Sequence, residues 1–198
     1  MSPASEEIAA TAARMVVEEG LEYGPAKRRA AKQLGLTGRA DLPDNDAVEA
    51  SVFEYLSLFC ADTQPGELQA LRELAVVWMA RLAEFRPHLT GAVWRGTATR
   101  LNDIHLALYC DDSKAAEITL IGKGVDYDVS SAMGPRGQQV DRLSLSVRCE
   151  ALGEHIGLHL TILDLDDIRG ALKTDSSGRT ERGDLGALQR LLDQAPPA

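Results

Sequence analysis

Two side chains with metal- or phosphate-directed chemistry, Asp103 and His105, stand two residues apart in a stretch of strict alternation. Asp103, His105, Ala107 and Tyr109 point to one side of a predicted strand, and Ile104, Leu106, Leu108 and Cys110 to the other. A carboxylate and an imidazole on one strand face can approach the same ligand. Two later stretches repeat the pattern. Leu143, Leu145, Val147 and Cys149 alternate with Ser144, Ser146 and Arg148, and Ile156, Leu158, Leu160 and Ile162 alternate with His155, Gly157, His159 and Thr161. If the three strands share a sheet, its polar face collects Asp103, His105, Ser144, Ser146, Arg148, His155 and His159. An Asp opening a strand also serves as a turn residue, and a sheet-face histidine as plain surface. The pattern alone leaves both readings open.

The residues before Asp103 add a second signal. A strand opening at His88 is expected to run through Val93 into a Gly96-Thr97 turn and a short polar crossing. Gly96-Thr97 followed by Asp103-Ile104-His105 resembles the signature of the DNA polymerase β nucleotidyltransferase superfamily, where a Gly-Ser or Gly-Gly turn precedes an Asp-x-Asp or Asp-x-Glu strand. More narrowly, the chain is similar to small bacterial nucleotidyltransferase-like proteins. Their helical N-terminal part carries a Tyr-x-x-Ala-Lys-Arg-x-Ala-Ala-x-x-Leu-Gly run, here Tyr23 to Gly35.

The resemblance implies a nucleotidyltransferase-like palm and metal-assisted transfer from a nucleoside triphosphate to a small-molecule or protein acceptor. Asp103, His105 and His159 would then hold the catalytic positions, with Asp103 and His105 binding a divalent metal, Mn²⁺ or Mg²⁺. Gly96 and Thr97 would approach the phosphates, and Arg148 would offset their charge. On this resemblance, His105 stands at the second of the family's three carboxylate positions and His159 near the third. Mg²⁺ prefers oxygen ligands, whereas imidazole suits Mn²⁺ or Zn²⁺. The same resemblance therefore also admits a catalytically silent relative that binds a nucleotide or a protein partner.

Composition narrows the class. Among 198 residues, 44% are hydrophobic and 26% charged, values of a folded chain. The formal net charge of −9 weighs against nucleic acid as the main partner, because phosphate neutralisation supplies most of that affinity. No apolar run reaches the length of a membrane span, and the first residues, Met-Ser-Pro-Ala-Ser-Glu-Glu, lack the basic and apolar regions of a signal peptide. A cytoplasmic location is expected. Cys60, Cys110 and Cys149 are far apart in apolar patterns, as buried thiols would be. P-loop, Gly-x-Ser-x-Gly, His-Glu-x-x-His and Cys-x-x-Cys motifs are absent from the sequence.

The elements that must position these residues give an α+β fold: a helical unit over residues 1–86, then a small mixed or antiparallel sheet backed by helices over residues 87–198. Helices are predicted from a Ser5 cap to Gly20, from Pro25 to Leu34, from Asp46 to Phe59, and from about Glu67 to Phe85. The second carries Lys27, Arg28, Arg29 and Lys32, either a solvated face or a phosphate contact. Thr37 to Asn45 reads as a loop. Further expectations are a helix from Lys114 to Ile121, a brief strand at Val125–Val129, a loop from Ser130 to Gln139, a hairpin turn at Gly153-Glu154, helices at Leu165–Leu172 and Asp184–Leu192, a polar loop between those two, and a frayed tail.

Overall fold

A computed structural model describes residues 2–36, 42–169, 173–174 and 178–194 of the chain. It divides into two compact units, residues 1–67 with 97–101, and residues 68–96 with 102–198. The predicted loop after Gly35, the end of the predicted Leu165–Leu172 helix, part of the following polar loop and the tail lie outside the described residues.

In the first unit, α1 (Pro3–Glu19), α2 (Tyr23–Gln33) and α3 (Asn45–Phe59) pack their apolar stripes together. Ile8, Ala12, Met15 and Val16 of α1 share one core with Ala26 and Ala30 of α2 and Val48, Val52 and Leu56 of α3. The first helix starts earlier than expected. Ser2 is its cap, with Oγ accepting from the Ser5 N–H at 3.2 Å, and Pro3 follows, where a missing N–H costs nothing. The basic run of α2 is partly tied down: Lys27 Nζ donates to Pro43 O at 3.0 Å and to Asn45 Oδ1 at 2.9 Å, and Arg29 pairs with Glu19. For these two residues the helix face is used in joining helices. Residues 97–101 are held by hydrogen bonds from Gln64 Nε2 to Ala98 O, 2.9 Å, and from the Arg100 N–H to Glu67 Oε2, 3.0 Å.

The second unit is α+β, as expected. Its strands are β1 (His88–Thr90), β2 (Ile104–Cys110), β3 (Asp128–Met133), β4 (Gln139–Cys149), β5 (Glu154–Asp164) and β6 (Arg182–Gly183). They form one six-stranded sheet in the order β3-β4-β5-β2-β1-β6. The sheet is mixed: β2 and β5 run parallel, and every other neighbouring pair is antiparallel. The helical elements are the continuation of α4 (Gln64–Arg81), α5 (Gly91–Arg95), α6 (Ala115–Gly122) and α7 (Leu185–Gln194). Leu71, Ala75, Trp78, Met79 and Leu82 are buried at helical spacing along α4 and just beyond it. Among the described residues, no helix is long and apolar enough to cross a membrane. The three cysteines are free thiols, Cys110 and Cys149 buried and Cys60 half-buried.

Three sequence expectations need correction. The first strand ends at Thr90, and Gly91 to Arg95 forms a helical turn. Gly96 closes that turn at φ 91°, giving its N–H to Ala92 O at 2.9 Å. The strand expected at 125–129 instead covers Asp128–Met133, and a tight turn at 134–138 replaces the long loop, with the Gly134 N–H on Gln138 O at 2.7 Å. The segment expected to be helical from Leu165 begins as a short 3₁₀ turn, Leu165–Ile168, capped by Asp164 Oδ1 on the Asp166 N–H at 2.8 Å.

Candidate functional site

Alternation on β2, β4 and β5 places the polar residues as the pattern predicts. Ile104, Leu106 and Leu108 are buried on one face with Leu143, Leu145, Ile156, Leu158 and Leu160. On the other face, register builds two rows across the strands. Ser144, His159, His105 and Thr90 lie side by side in the first row, and Arg142, Thr161, Ala107 and His88 in the second. This face is not open along its whole length. Beyond the second row Tyr109, only 1% exposed, packs with Ala107, Leu163, Val140, Leu165 and Ile168 in a small apolar cluster. The polar region is confined to the end of β2 nearest Asp103.

There, Asp103, His159 and Ser144 form a hydrogen-bonded chain. Asp103 Oδ2 stands 2.9 Å from His159 Nε2, and His159 Nδ1 stands 2.9 Å from Ser144 Oγ. A carboxylate can only accept, so Nε2 carries a proton; in the neutral ring Nδ1 is then the acceptor and the Ser144 hydroxyl donates to it. Asp103 Oδ1 accepts from the Gly157 N–H at 3.1 Å. The His159 hydrogen bond holds the Asp103 carboxyl below its usual range, with partial burial opposing and the Gly157 N–H assisting. His105 stacks on His159, ring centroids 4.9 Å apart and planes 26° apart. Burial pushes its imidazole down to about 4, and the charges of His159, Arg142 and Arg95 push the same way against Asp103. His105 is therefore neutral at pH 7.

Gly157 makes this possible. A Cβ there would stand 2.5 Å from both Cγ and Oδ1 of Asp103, so the carboxylate occupies the space a side chain would fill. Gly157→Ala is expected to expel the carboxylate and break its bond to His159. In a ¹³C titration, the Asp103 carboxyl should move back up toward the ordinary aspartate range. An unchanged titration in that variant would show that the contact does not depend on the bare glycine.

The chain of hydroxyl, imidazole and carboxylate has the members of a nucleophilic triad without its setting. Ser144 lies inside β4 with β3 and β5 on either side, so its backbone N–H faces a neighbouring strand rather than a substrate oxyanion. What the chain does is lock a tautomer. That matters for the metal implied by the resemblance. Each Asp103 oxygen already accepts one hydrogen bond, and both ring nitrogens of His159 are engaged, which leaves the remaining lone pairs of one carboxylate and the neutral imidazole of His105. Among the described residues, no group of three or more His, Cys, Asp or Glu side chains is placed to hold a metal ion. This donor set does not fit the oxygen-rich coordination of paired Mg²⁺.

The other site residues expected from sequence are placed as follows. His105 and His159 join Asp103. Arg148 does not: it is four residues along β4 from Ser144, roughly 13 Å at strand rise, with its guanidinium 3.7 Å from Glu150. His155 lies opposite Arg148 and is exposed. Gly96 is the left-handed cap of α5. Thr97 is 2% exposed, and among the described residues its buried hydroxyl has no hydrogen-bond partner. Sequence reasoning missed Arg142 and Arg95, whose charges reach His105. Arg142 was within reach, since it continues the alternation of Ser144, Ser146 and Arg148. Arg95 was not, because it stands on a helical turn read as strand. In comparisons with known proteins, no family model and no curated sequence matches the chain.

Proposed function

We propose that this protein is a nucleotidyltransferase-like module that binds a nucleotide and has lost metal-assisted nucleotidyl transfer. The likeness rests on Gly96-Thr97, Asp103-Ile104-His105 and the Tyr23–Gly35 run. The observation that carries the silent reading is the Asp103–His159–Ser144 chain, which engages both oxygens of the one matching carboxylate and both nitrogens of its neighbour. An active site built on paired metals draws on several carboxylates for the ions. Here one carboxylate, already accepting two hydrogen bonds, stands with two imidazoles, and both nitrogens of His159 are engaged. The polar end of the sheet, with a neutral His105 and arginines nearby, is suited to an anionic ligand.

Calorimetry with nucleoside triphosphates, followed by a transfer assay with α-labelled nucleotide in Mg²⁺ or Mn²⁺, tests this. The expected result is saturable binding with no label passed to protein or small-molecule acceptors. Label transfer that disappears in Asp103→Asn would restore the enzyme reading. Absence of nucleotide binding would leave a protein-binding module.

A further inference from the structure

Next to the His105 row the sheet face is low, because Ala107 and Thr161 are small. A cavity of about 250 Å³ opens over them, with Thr90, Arg95, Glu181 and Arg182 in its walls. Arg142 lies opposite Thr161 in register, at the side of the same floor. Among the described residues, its buried Nε has no hydrogen-bond partner. Arg182 is held in place by Nη1 donating to the Tyr109 hydroxyl at 2.9 Å. Its strand is pinned at Gly183, where the Trp94 ring occupies the space a Cβ would take. The charges of both Arg95 and Arg142 reach His105.

Two guanidinium groups, Arg95 and Arg182, line this cavity with one carboxylate, Glu181, and Arg142 stands beside its floor in register with Thr161, in a chain of net charge −9. Guanidinium forks match phosphate oxygens in bidentate geometry, and the Thr90 and Thr161 hydroxyls can add neutral donors. In two-metal transferases the ions neutralise the phosphates. Here fixed positive charge stands beside the place where the family's carboxylates would hold those ions.

We propose that this trough is a phosphate-binding subsite, in which Arg95, Arg142 and Arg182 hold a polyphosphate group without a divalent metal. Its extension to the phosphates of a nucleotide rests on the reading given under Proposed function. The small cavity suits a phosphate chain rather than a whole nucleotide, whose base would lie outside it.

Calorimetry in excess EDTA, with inorganic tripolyphosphate and with ATP, tests this on the full chain. Wild type is compared with Arg142→Gln, Arg182→Gln and the exposed control Lys123→Gln, with an unfolding curve recorded for each. Expected is binding of both ligands in EDTA, weakened tenfold or more in each arginine variant and unchanged in the control. Because Arg182→Gln also loses a bond to Tyr109, Arg142→Gln is the deciding variant if Arg182→Gln is unstable. Binding in EDTA that is the same in Arg142→Gln as in wild type overturns the subsite. So does ATP binding that requires Mg²⁺ or Mn²⁺, although nucleotide binding itself would then stand. Tripolyphosphate binding lost in the variants, with no ATP binding, supports the subsite and removes the nucleotide reading. If neither ligand binds, both fall.

Discussion

Trp78→Ala is expected to destabilise the second unit by about 3–5 kcal/mol, the range for removing a large aromatic side chain from a packed interior. Trp78 is buried on the same side of its helix as Leu71, Ala75, Met79 and Leu82, so its loss opens a void that fixed helical neighbours cannot readily close. The Arg81 guanidinium, 5.1 Å from the ring centroid, adds a smaller cation–π contribution of about 0.5–1 kcal/mol. The remaining tryptophan supplies the probe. Trp94 belongs to the same unit, and its Nε1 donates to Thr180 O at 2.7 Å, so its fluorescence follows unfolding of that unit in the variant. Denaturant titration monitored at Trp94 should show the midpoint falling with little change in slope. A midpoint close to wild type would mean that the helix rests on a different face.

Trp78 was legible because a long helix with a buried stripe writes its period into the sequence. The same holds for β2, β4 and β5, where a buried apolar face forces alternation at Ile104–Cys110, Leu143–Cys149 and Ile156–Ile162. The edge strand β3 was displaced in the sequence reading for the complementary reason. Val129, Ser130 and Ser131 are exposed on it, so neighbouring positions carry no contrast, and only backbone pairing with β4 defines it. The turn at α5 was misread because Val93-Trp94 favours strands. The two glycines bracketing it, Gly91 and Gly96, both at positive φ, were the overlooked signal. The alternation also could not show that Tyr109 would be covered, because its cover comes from Val140, Leu165 and Ile168, distant from it in sequence.

The candidate site was legible in its members and not in its wiring. Alternation puts His105 and His159 on polar faces of their strands, but their stacking follows from the parallel register that sets His105 beside His159. That register joins segments more than fifty residues apart and leaves no local mark. Ser144 enters the chain in the same way, through the antiparallel register of β4 on β5. Gly157 is the exception. A glycine inside an alternating strand marks a close approach, and the group approaching it is Asp103.

Acidification should cost stability through His105, with most of the loss between pH 6.5 and 4. Its imidazole is pushed down from 6.5 to about 4, so across this window the unfolded chain binds a proton that the folded chain refuses. A depressed histidine therefore contributes stability that is fully present above the unfolded value and is lost as pH falls toward the folded one. The gap corresponds to at most roughly 3 kcal/mol, less whatever solvent screens at a half-buried ring. Protonated His105 would face the charges of His159, Arg142 and Arg95, with Asp103 opposing them. Asp103 acts in the same direction but later, because its carboxyl is held below the ordinary 3.8 and gives up its share only as pH falls through that lower value. His105→Gln should therefore flatten the stability profile between pH 6.5 and 4 while leaving the steeper loss below pH 4. Some slope will remain from His88, which burial also lowers and which stands edge-on to Tyr109 at 5.1 Å. Unfolding free energies from denaturant titrations at half-unit pH steps, wild type against His105→Gln, read the difference directly. An identical slope in the two proteins would assign the acid sensitivity to another group.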